Sequence, residues 1–337
     1  MAFSDKENKQ SLIRDFSKGA FVWYNFRQGS SILYVYSRRV DEAVTELLES
    51  KGKVENCSIE QVLNNQSESN IYDYIVGIDV IEESRCPQNL LDICHQLLKT
   101  DGRLIIGVEN RYAIKYICGD RDPYTNHNFD GIENYRRLSD ADWDSIAGRC
   151  YSMSELKLML SQAGFDNDKF YSVMPSLQET QLVYAEGYEP VEELAMRYFP
   201  LYNYPDSVFL EEQYLYTDLI KNGMFHKMAN AYIIECSIDG RFDDTLHATI
   251  SLDRGHENAL VTSICEHDGV RSVLKKAVYQ EGIHKLNEMQ DNLRDLSERG
   301  INVVDSCVDG DTFVMPYVDI DDAYKFEDFI ENNLIDQ

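Results

Sequence analysis

YDYIVGI, at residues 72–78, is the stretch that decides the fold of this chain, because a short, nearly continuous apolar run is typical of a strand buried on both faces. Apolar residues at helical spacing follow it between residues 90 and 98. TDG at residues 100–102 then turns the chain into a second apolar run, RLIIGV at residues 103–108. Buried strands that alternate with helices indicate a mostly parallel sheet with helices on both faces. The sequence therefore predicts a doubly wound α/β fold.

The same alternation extends in both directions from this stretch. Upstream, ILYVY at residues 32–36 predicts a strand, and residues 40–48 have helical spacing. Downstream, we expect a helix from Ser154 to Ala163 and a strand from Phe165 to Met174. These elements place the α/β unit at residues 1–190.

The pattern changes after residue 190. Residues 191–240 are largely helical and aromatic in pattern, and we interpret them as a connection, with short strands beginning at Ala231. Residues 241–337 combine short strands, one helix and a hairpin at Asp309-Gly310, which predicts a smaller α+β unit.

Composition excludes several classes of protein. The 337 residues include 32 basic and 59 acidic ones, a formal charge of −27, which repels phosphate backbones and argues against a nucleic-acid partner. No apolar run approaches the ~18 residues of a membrane span, so a cytoplasmic protein is expected. The eight cysteines and seven histidines lack metal-ligand spacing, so neither disulfides nor a metal are expected.

A family resemblance rests on YDYIVGIDVIE, PQNLL and LLKTDGRLIIGVENRY, taken in that order from residue 72 to residue 112. This order resembles the class I S-adenosylmethionine-dependent methyltransferases over roughly residues 15–190, and it implies their Rossmann-like fold. ENRYAIKYICGD at residues 109–120 and FDGIENY at residues 129–135 are similar to methyltransferases encoded with bacterial surface-polysaccharide synthesis. That resemblance implies methyl transfer from S-adenosylmethionine to a hydroxyl or phosphate of a glycan or related small-molecule acceptor.

Polar residues that follow the predicted strands are the candidates for a site, since open α/β sheets bind ligands beyond the carboxyl ends of their strands. The resemblance implies that Glu109, Asn110 and Arg111 line the acceptor site. It implies that Asp79 and Glu82 border the cofactor, and that Tyr36 and Ser37 flank the methionine end of the cofactor. The alternative is that these side chains cap helices and satisfy backbone amides.

The chain departs from the family at the end of the first strand. An acidic residue and a Gly-x-Gly turn belong there, because the backbone must approach the cofactor closely, but residues 33–40 read LYVYSRRV. The side chains of Tyr36 and Arg38 would occupy that space. Only about 20 residues separate the predicted helix at residues 40–48 from residue 72. This interval is too short for the strand–helix–strand segment that the family has there, so we expect one such unit to be missing. In the family an acidic residue after the second strand binds the ribose of the cofactor, and Glu55 and Glu60 are poor substitutes for it.

This departure leaves two functions open. The first is the methyltransferase activity just described. The second is a catalytically inactive scaffold or partner-binding protein that pairs with an active enzyme of the same pathway. The paired arginines Arg38 and Arg39 would suit a phosphate ligand, although surface arginines at a helix start are commoner.

The last unit resembles the small lobe of protein-kinase-like domains. VLKKA at residues 273–277 would carry the strand lysine, Lys276, and the following helix would carry its partner, Glu288. MPYV at residues 315–318 would be the counterpart of the hinge. Only 19 residues follow it, without H-R-D or D-F-G segments, so phosphoryl transfer by this chain is not expected.

Overall fold

The computed structural model describes residues 14–64, 69–190, 194, 196, 197 and 199–318. Its strands, in chain order, are β1 (Ser30–Tyr36), β2 (Gly52–Ser58), β3 (Tyr72–Ile78), β4 (Leu98–Glu109), β5 (Asp168–Pro175), β6 (Thr180–Ala185), β7 (Ala231–Ser237), β8 (Thr245–Ser251), β9 (Leu260–His267), β10 (Val270–Ala277), β11 (Cys307–Asp309) and β12 (Thr312–Pro316). The α-helices are α1 (Glu42–Glu49), α2 (Ile59–Asn64), α3 (Pro87–Leu97), α4 (Ile114–Ile117), α5 (Asp140–Ser145), α6 (Met153–Gln162), α7 (Tyr216–Lys221), α8 (Phe225–Met228) and α9 (Ile283–Glu298). A 3₁₀ helix, Phe16–Ala20, precedes β1.

The twelve strands of the described residues belong to one sheet, whose order is β11-β12-β10-β9-β8-β6-β5-β7-β4-β3-β1-β2. The strands β2, β1, β3 and β4 pair in parallel, as predicted for an α/β fold, and α1 and α3 provide crossovers between them. The other strands join by antiparallel pairing, beginning with β7 against β4. A tight hairpin forms the pair of β9 and β10, whereas β7 pairs with β4 and β5, and β8 pairs with β6, across long stretches of chain.

Helices cover both faces of the sheet. Alternate residues of a strand point to opposite faces, so Leu33 and Val35 belong to one apolar cluster while Ile32 and Tyr34 belong to another. The first cluster packs against α2, α3 and α6, and the second packs against α1 and the 3₁₀ helix. The doubly wound arrangement is therefore present around the first strands.

The segment predicted as a connection contributes a central strand to the sheet. β7 lies between β4 and β5, with Ile234 opposite both Ile106 and Phe170. The strands after residue 240 continue the same sheet, because β8 pairs with β6 at Thr249 and Leu182. Residues assigned from sequence to separate units thus share one hydrogen-bonded sheet, and the domain limits remain a prediction.

The kinase-like pair expected from sequence is not formed among the described residues. The Nζ atom of Lys276 lies 4.0 Å from the Asp311 carboxylate, whereas Glu288 pairs with Lys285 on its own helix at 3.1 Å. The hairpin predicted at Asp309-Gly310 is present, and it joins β11 to β12. None of the described helices is both long enough and apolar enough to cross a membrane.

Candidate functional site

The carboxyl ends of β1, β3 and β4 meet at one edge of the sheet, because these three strands are neighbours and run parallel. The loops that leave this edge carry the residues singled out from sequence. The edge brings three of the predicted carboxylates together: Asp79, Glu82 and Glu109. The backbone N–H of Glu109 donates to the Glu82 carboxyl at 2.6 Å, which joins the loop after β3 to the end of β4.

Glu109 is the negatively charged partner in a buried ion pair. The Nζ atom of Lys115, which is 1% exposed, lies 3.1 Å from Glu109 Oε1, and the Tyr116 hydroxyl donates to Oε2. Burial disfavours a charged ammonium, but the Glu109 carboxylate outweighs it and raises the pKa of Lys115. Both oxygens of Glu109 are therefore held by the protein. Sequence reasoning missed Lys115 and Tyr116, although both lie in the ENRYAIKY segment that it quoted.

Asn110 and Arg111 fasten loops rather than face solvent. Asn110 is fully buried, and its side-chain amide donates to the carbonyls of Lys227 and Ala229, each at 2.9 Å. The Arg111 guanidinium donates to Glu155 at 2.8 Å and to the carbonyl of Gly131 at 3.1 Å. These contacts hold the loop after β4 in place, and the acceptor-site role expected for both residues stays a prediction.

Asp79 and Glu82 are carboxyl groups whose charge is disfavoured. Burial and the nearby carboxylates of Glu109 and Glu83 raise the pKa of Asp79 to about 7. Burial, followed by the charge of Asp79, raises the pKa of Glu82 well above its ordinary value, and its Oε2 atom has no hydrogen-bond partner among the described residues. Asp79 is half-buried and has a φ of 58°, a left-handed conformation that Asp adopts more readily than most residues. A half-buried carboxyl with this pKa can accept a proton near neutral pH.

The turn after β1 is tied to the loop after β3. The Ser37 hydroxyl donates to Glu83 Oε2 at 2.7 Å, and the Arg38 Nε–H donates to the same oxygen at 3.0 Å. The Arg38 Nη2 atom lies 2.8 Å from the other oxygen, Oε1, as an ion-pair contact. Tyr36 is partly buried and packs against the second apolar cluster, which also contains the buried β1 residue Tyr34. Arg39 is exposed. Sequence reasoning did not single out Glu83, although it follows Glu82 directly.

This arrangement does not fit S-adenosylmethionine along the end of β1. The cofactor would have to occupy the space between two loops that Glu83 joins through Ser37 and Arg38. No glycine lies within residues 30–41 to let the backbone approach a ligand closely. On the next strand, Glu55 is exposed and accepts a hydrogen bond from the Tyr72 hydroxyl at 2.7 Å. Glu55 therefore contacts Tyr72, and the backbone after β1 has no glycine that would let a ligand approach it closely.

A cavity of about 180 Å³ lies beside the carboxylate cluster. Its lining includes Glu82, Ser84, Trp143, Arg149 and Tyr151. The Arg149 guanidinium lies over the Tyr151 ring at 4.4 Å and donates to Glu155 at 2.6 Å. The cavity has room for a small polar molecule. No group of three or more His, Cys, Asp or Glu residues in the described part of the chain is arranged to hold a metal ion.

No protein-family profile matches this sequence, and no curated protein matches it. Solved structures of S-adenosylmethionine-dependent methyltransferases are similar to it. One from Thermotoga maritima has 12% sequence identity and a TM-score of 0.35, and the match covers 70% of this chain and 96% of that structure. One from Archaeoglobus fulgidus has 13% identity and a TM-score of 0.36, and the match covers 70% of this chain and 98% of that structure. A chain of the Haloferax volcanii complex between the Trm112 methyltransferase activator and a methyltransferase has 12% identity and a TM-score of 0.38 over 70% and 95%. Likeness at this level does not establish an activity.

Proposed function

We propose that this chain is a methyltransferase-like protein that does not seat S-adenosylmethionine in the usual place and acts by binding a protein partner. The observation that carries the proposal is the tie made by Glu83, which joins Ser37 and Arg38 across the place where the cofactor would lie. Glu83 is only 12% exposed, whereas Arg38 is 66% exposed, so the ion pair lies at the surface and its own contribution is modest. The tie and the missing glycines together oppose cofactor entry.

The setting we propose is bacterial cell-surface polysaccharide biosynthesis, with an active enzyme of the same pathway as the partner. Support comes from the resemblance of residues 109–120 and 129–135 to methyltransferases encoded with that pathway. In the structure, these two runs include the buried Lys115 and the buried Tyr135, whose hydroxyl donates to the Asp122 carboxylate at 2.7 Å. The quoted residues are therefore ones that hold the loops above the sheet.

A second candidate function is methyl transfer from S-adenosylmethionine to a hydroxyl of a glycan or other small acceptor. Asp79 favours it, because a half-buried carboxyl with a pKa of about 7 suits the removal of a proton from a hydroxyl. The cavity of about 180 Å³ beside Glu82 offers room for one small polar ring. In this alternative Glu109, Asn110 and Arg111 position the loop that borders the acceptor.

Titration of the full chain with S-adenosylmethionine by isothermal calorimetry separates the two functions. We expect no saturable heat from the natural sequence at millimolar ligand, because the tie and the side chains after β1 close the place for the cofactor. Saturable binding would overturn the leading proposal and favour the second candidate.

Two variants sharpen this measurement. Arg38→Ala removes the ion pair with Glu83, whereas Arg39→Ala removes an exposed neighbour and serves as the matched control. If the second candidate holds, Asp79→Asn should lower methyl transfer, since the carboxyl that would take the proton from the acceptor hydroxyl is then absent.

A further inference from the structure

Residues 199–214, which we name the strap, form an irregular segment that is pinned firmly to the loop after α4. The buried Asp120 carboxylate accepts from the backbone N–H groups of Asn203 and Tyr204, at 2.9 and 2.8 Å. The carbonyl of Cys118 accepts from the N–H of Phe209 at 2.9 Å. Its only regular structure is two short 3₁₀ turns, Pro205–Ser207 and Glu212–Tyr214. A long irregular loop fixed in this way is uncommon and is often functional.

The far end of the strap is anchored as well. Glu212 is fully buried, and the side-chain amide of Asn230 donates to it at 3.0 Å. Asn230 immediately precedes β7, so the strap is fastened to the start of a central strand of the sheet. Its backbone is therefore held from both sides.

Although its backbone is fixed, the strap turns large apolar side chains toward solvent. Phe199 is 86% exposed, Phe209 is 63% exposed and Tyr214 is 72% exposed, and Leu201 and Leu210 are also exposed. Single exposed apolar residues are normal, but several on one short segment are characteristic of interaction surfaces. Phenylalanine and tyrosine are also enriched at the centre of protein interfaces.

The charged residues of the strap itself are all acidic. Residues 198–220 contain no lysine, arginine or histidine, and Asp206, Glu211 and Asp218 are exposed. Basic side chains from outside the strap lie near its two ends. Arg121 lies over the Tyr204 ring at 5.6 Å, and Arg197 and Arg254 line a cavity together with Phe199. The exposed rings of Phe209 and Tyr214 belong to the part of the strap that carries the acidic residues Asp206 and Glu211.

We infer that the strap docks a partner protein through a surface that combines apolar side chains with lysine or arginine. Apolar contact with Phe209 and Tyr214 would provide the core of the interface, and Asp206 and Glu211 would meet the basic groups around it. This inference rests on the proposed function, in which the chain acts by binding a partner. A second copy of the chain fits less well, because its charge of −27 has the same sign as the strap.

The experiment uses the full chain and a synthetic 18-residue amphipathic peptide of leucine and lysine, labelled for fluorescence anisotropy. We expect saturable binding that weakens at least tenfold in Phe209→Ser and in Tyr214→Ser, since exposed aromatic anchors commonly dominate such interfaces. Leu296→Ser is the matched control. Leu296 is another exposed apolar residue with acidic neighbours, but it lies on α9, and we expect its substitution to leave binding unchanged.

Three outcomes would overturn the inference. Equal affinity of the natural chain and Phe209→Ser would mean that the strap does not bind the peptide. Equal affinity for a glycine–lysine peptide of the same charge would mean that charge alone explains the binding. Dimers of the chain in sedimentation that disappear in Phe209→Ser would assign the strap to a second copy. These results are separate from cofactor binding, which tests the proposed function.

Discussion

Replacing Lys115 by methionine removes one half of the buried ion pair that holds the loop after β4, while it keeps most of the side chain's volume. The two charged atoms lie 3.1 Å apart, and at an effective dielectric constant of about 20 their attraction is about 5 kcal/mol. Removing one partner also leaves the Glu109 carboxylate buried without a counter-charge, which typically costs about 3–5 kcal/mol. We therefore expect Lys115→Met to lower the free energy of unfolding by about 3–5 kcal/mol.

Equilibrium urea unfolding, followed by the fluorescence of Trp23 and Trp143, measures this loss. The matched control is Lys285→Met, because Lys285 pairs with Glu288 at the same distance, 3.1 Å, on the exposed surface of a helix. An exposed pair contributes about 0–1 kcal/mol, so the control should change little. Adding Glu109→Gln to Lys115→Met should recover at least ~1 kcal/mol of the loss, since no buried charge then remains unpaired.

Comparable losses for Lys115→Met and Lys285→Met would refute this reasoning. So would a double variant less stable than Lys115→Met alone. Either result would mean that Glu109 is neutral or hydrated in the folded chain, rather than an anion paired inside it.

Three other substitutions test the same edge of the sheet and its surroundings. The folded chain holds a proton on Asp79 up to a pH of about 7, whereas the unfolded chain releases it near pH 4. The free energy of unfolding should therefore fall as pH rises between these values. Urea titrations at several pH values should show a flatter decline for Asp79→Asn. Gly148→Ala should cost about 1–3 kcal/mol by thermal or urea unfolding, because the new methyl group would lie 2.5 Å from the carbonyl oxygen of Glu82; no loss would show that this loop can move aside. Phe225→Ala should cost about 3–5 kcal/mol because Phe225 is fully buried, whereas the exposed Phe209 should tolerate serine with little loss, and equal losses would contradict the exposure of the strap.

The strands around residue 72 were predictable because their signal is local. The apolar run at residues 72–78 coincides with β3, and the run at residues 32–36 lies within β1. The sheet order was not predictable in the same way. The run Ala231–Ser237 is recognisable as a strand, but its place between β4 and β5 depends on pairing with residues at least 58 positions away. The pairing of β8 with β6 likewise joins residues more than 60 positions apart.

The candidate site was partly predictable for a related reason. The rule that ligands and polar residues gather beyond the carboxyl ends of parallel strands correctly brought Asp79, Glu82 and Glu109 to one edge. The partners of these residues could not be inferred from their type. Lys115 would ordinarily be expected on the surface, and only the folded chain shows that it reaches back to Glu109. The pairing of Arg38 with Glu83 is equally non-local, since 45 positions separate them.

The continuity of the sheet limits how this chain can be divided. A fragment that stops near residue 240 would leave β6 as an open edge, although most residues of that strand are buried in the full chain. Unpaired backbone groups on a long apolar edge promote association between molecules. A piece beginning after residue 240 would expose β8 in the same way. Either half expressed alone should therefore form insoluble aggregates or non-native oligomers. Fusion tags are better attached at the ends of the chain than inserted near residue 240.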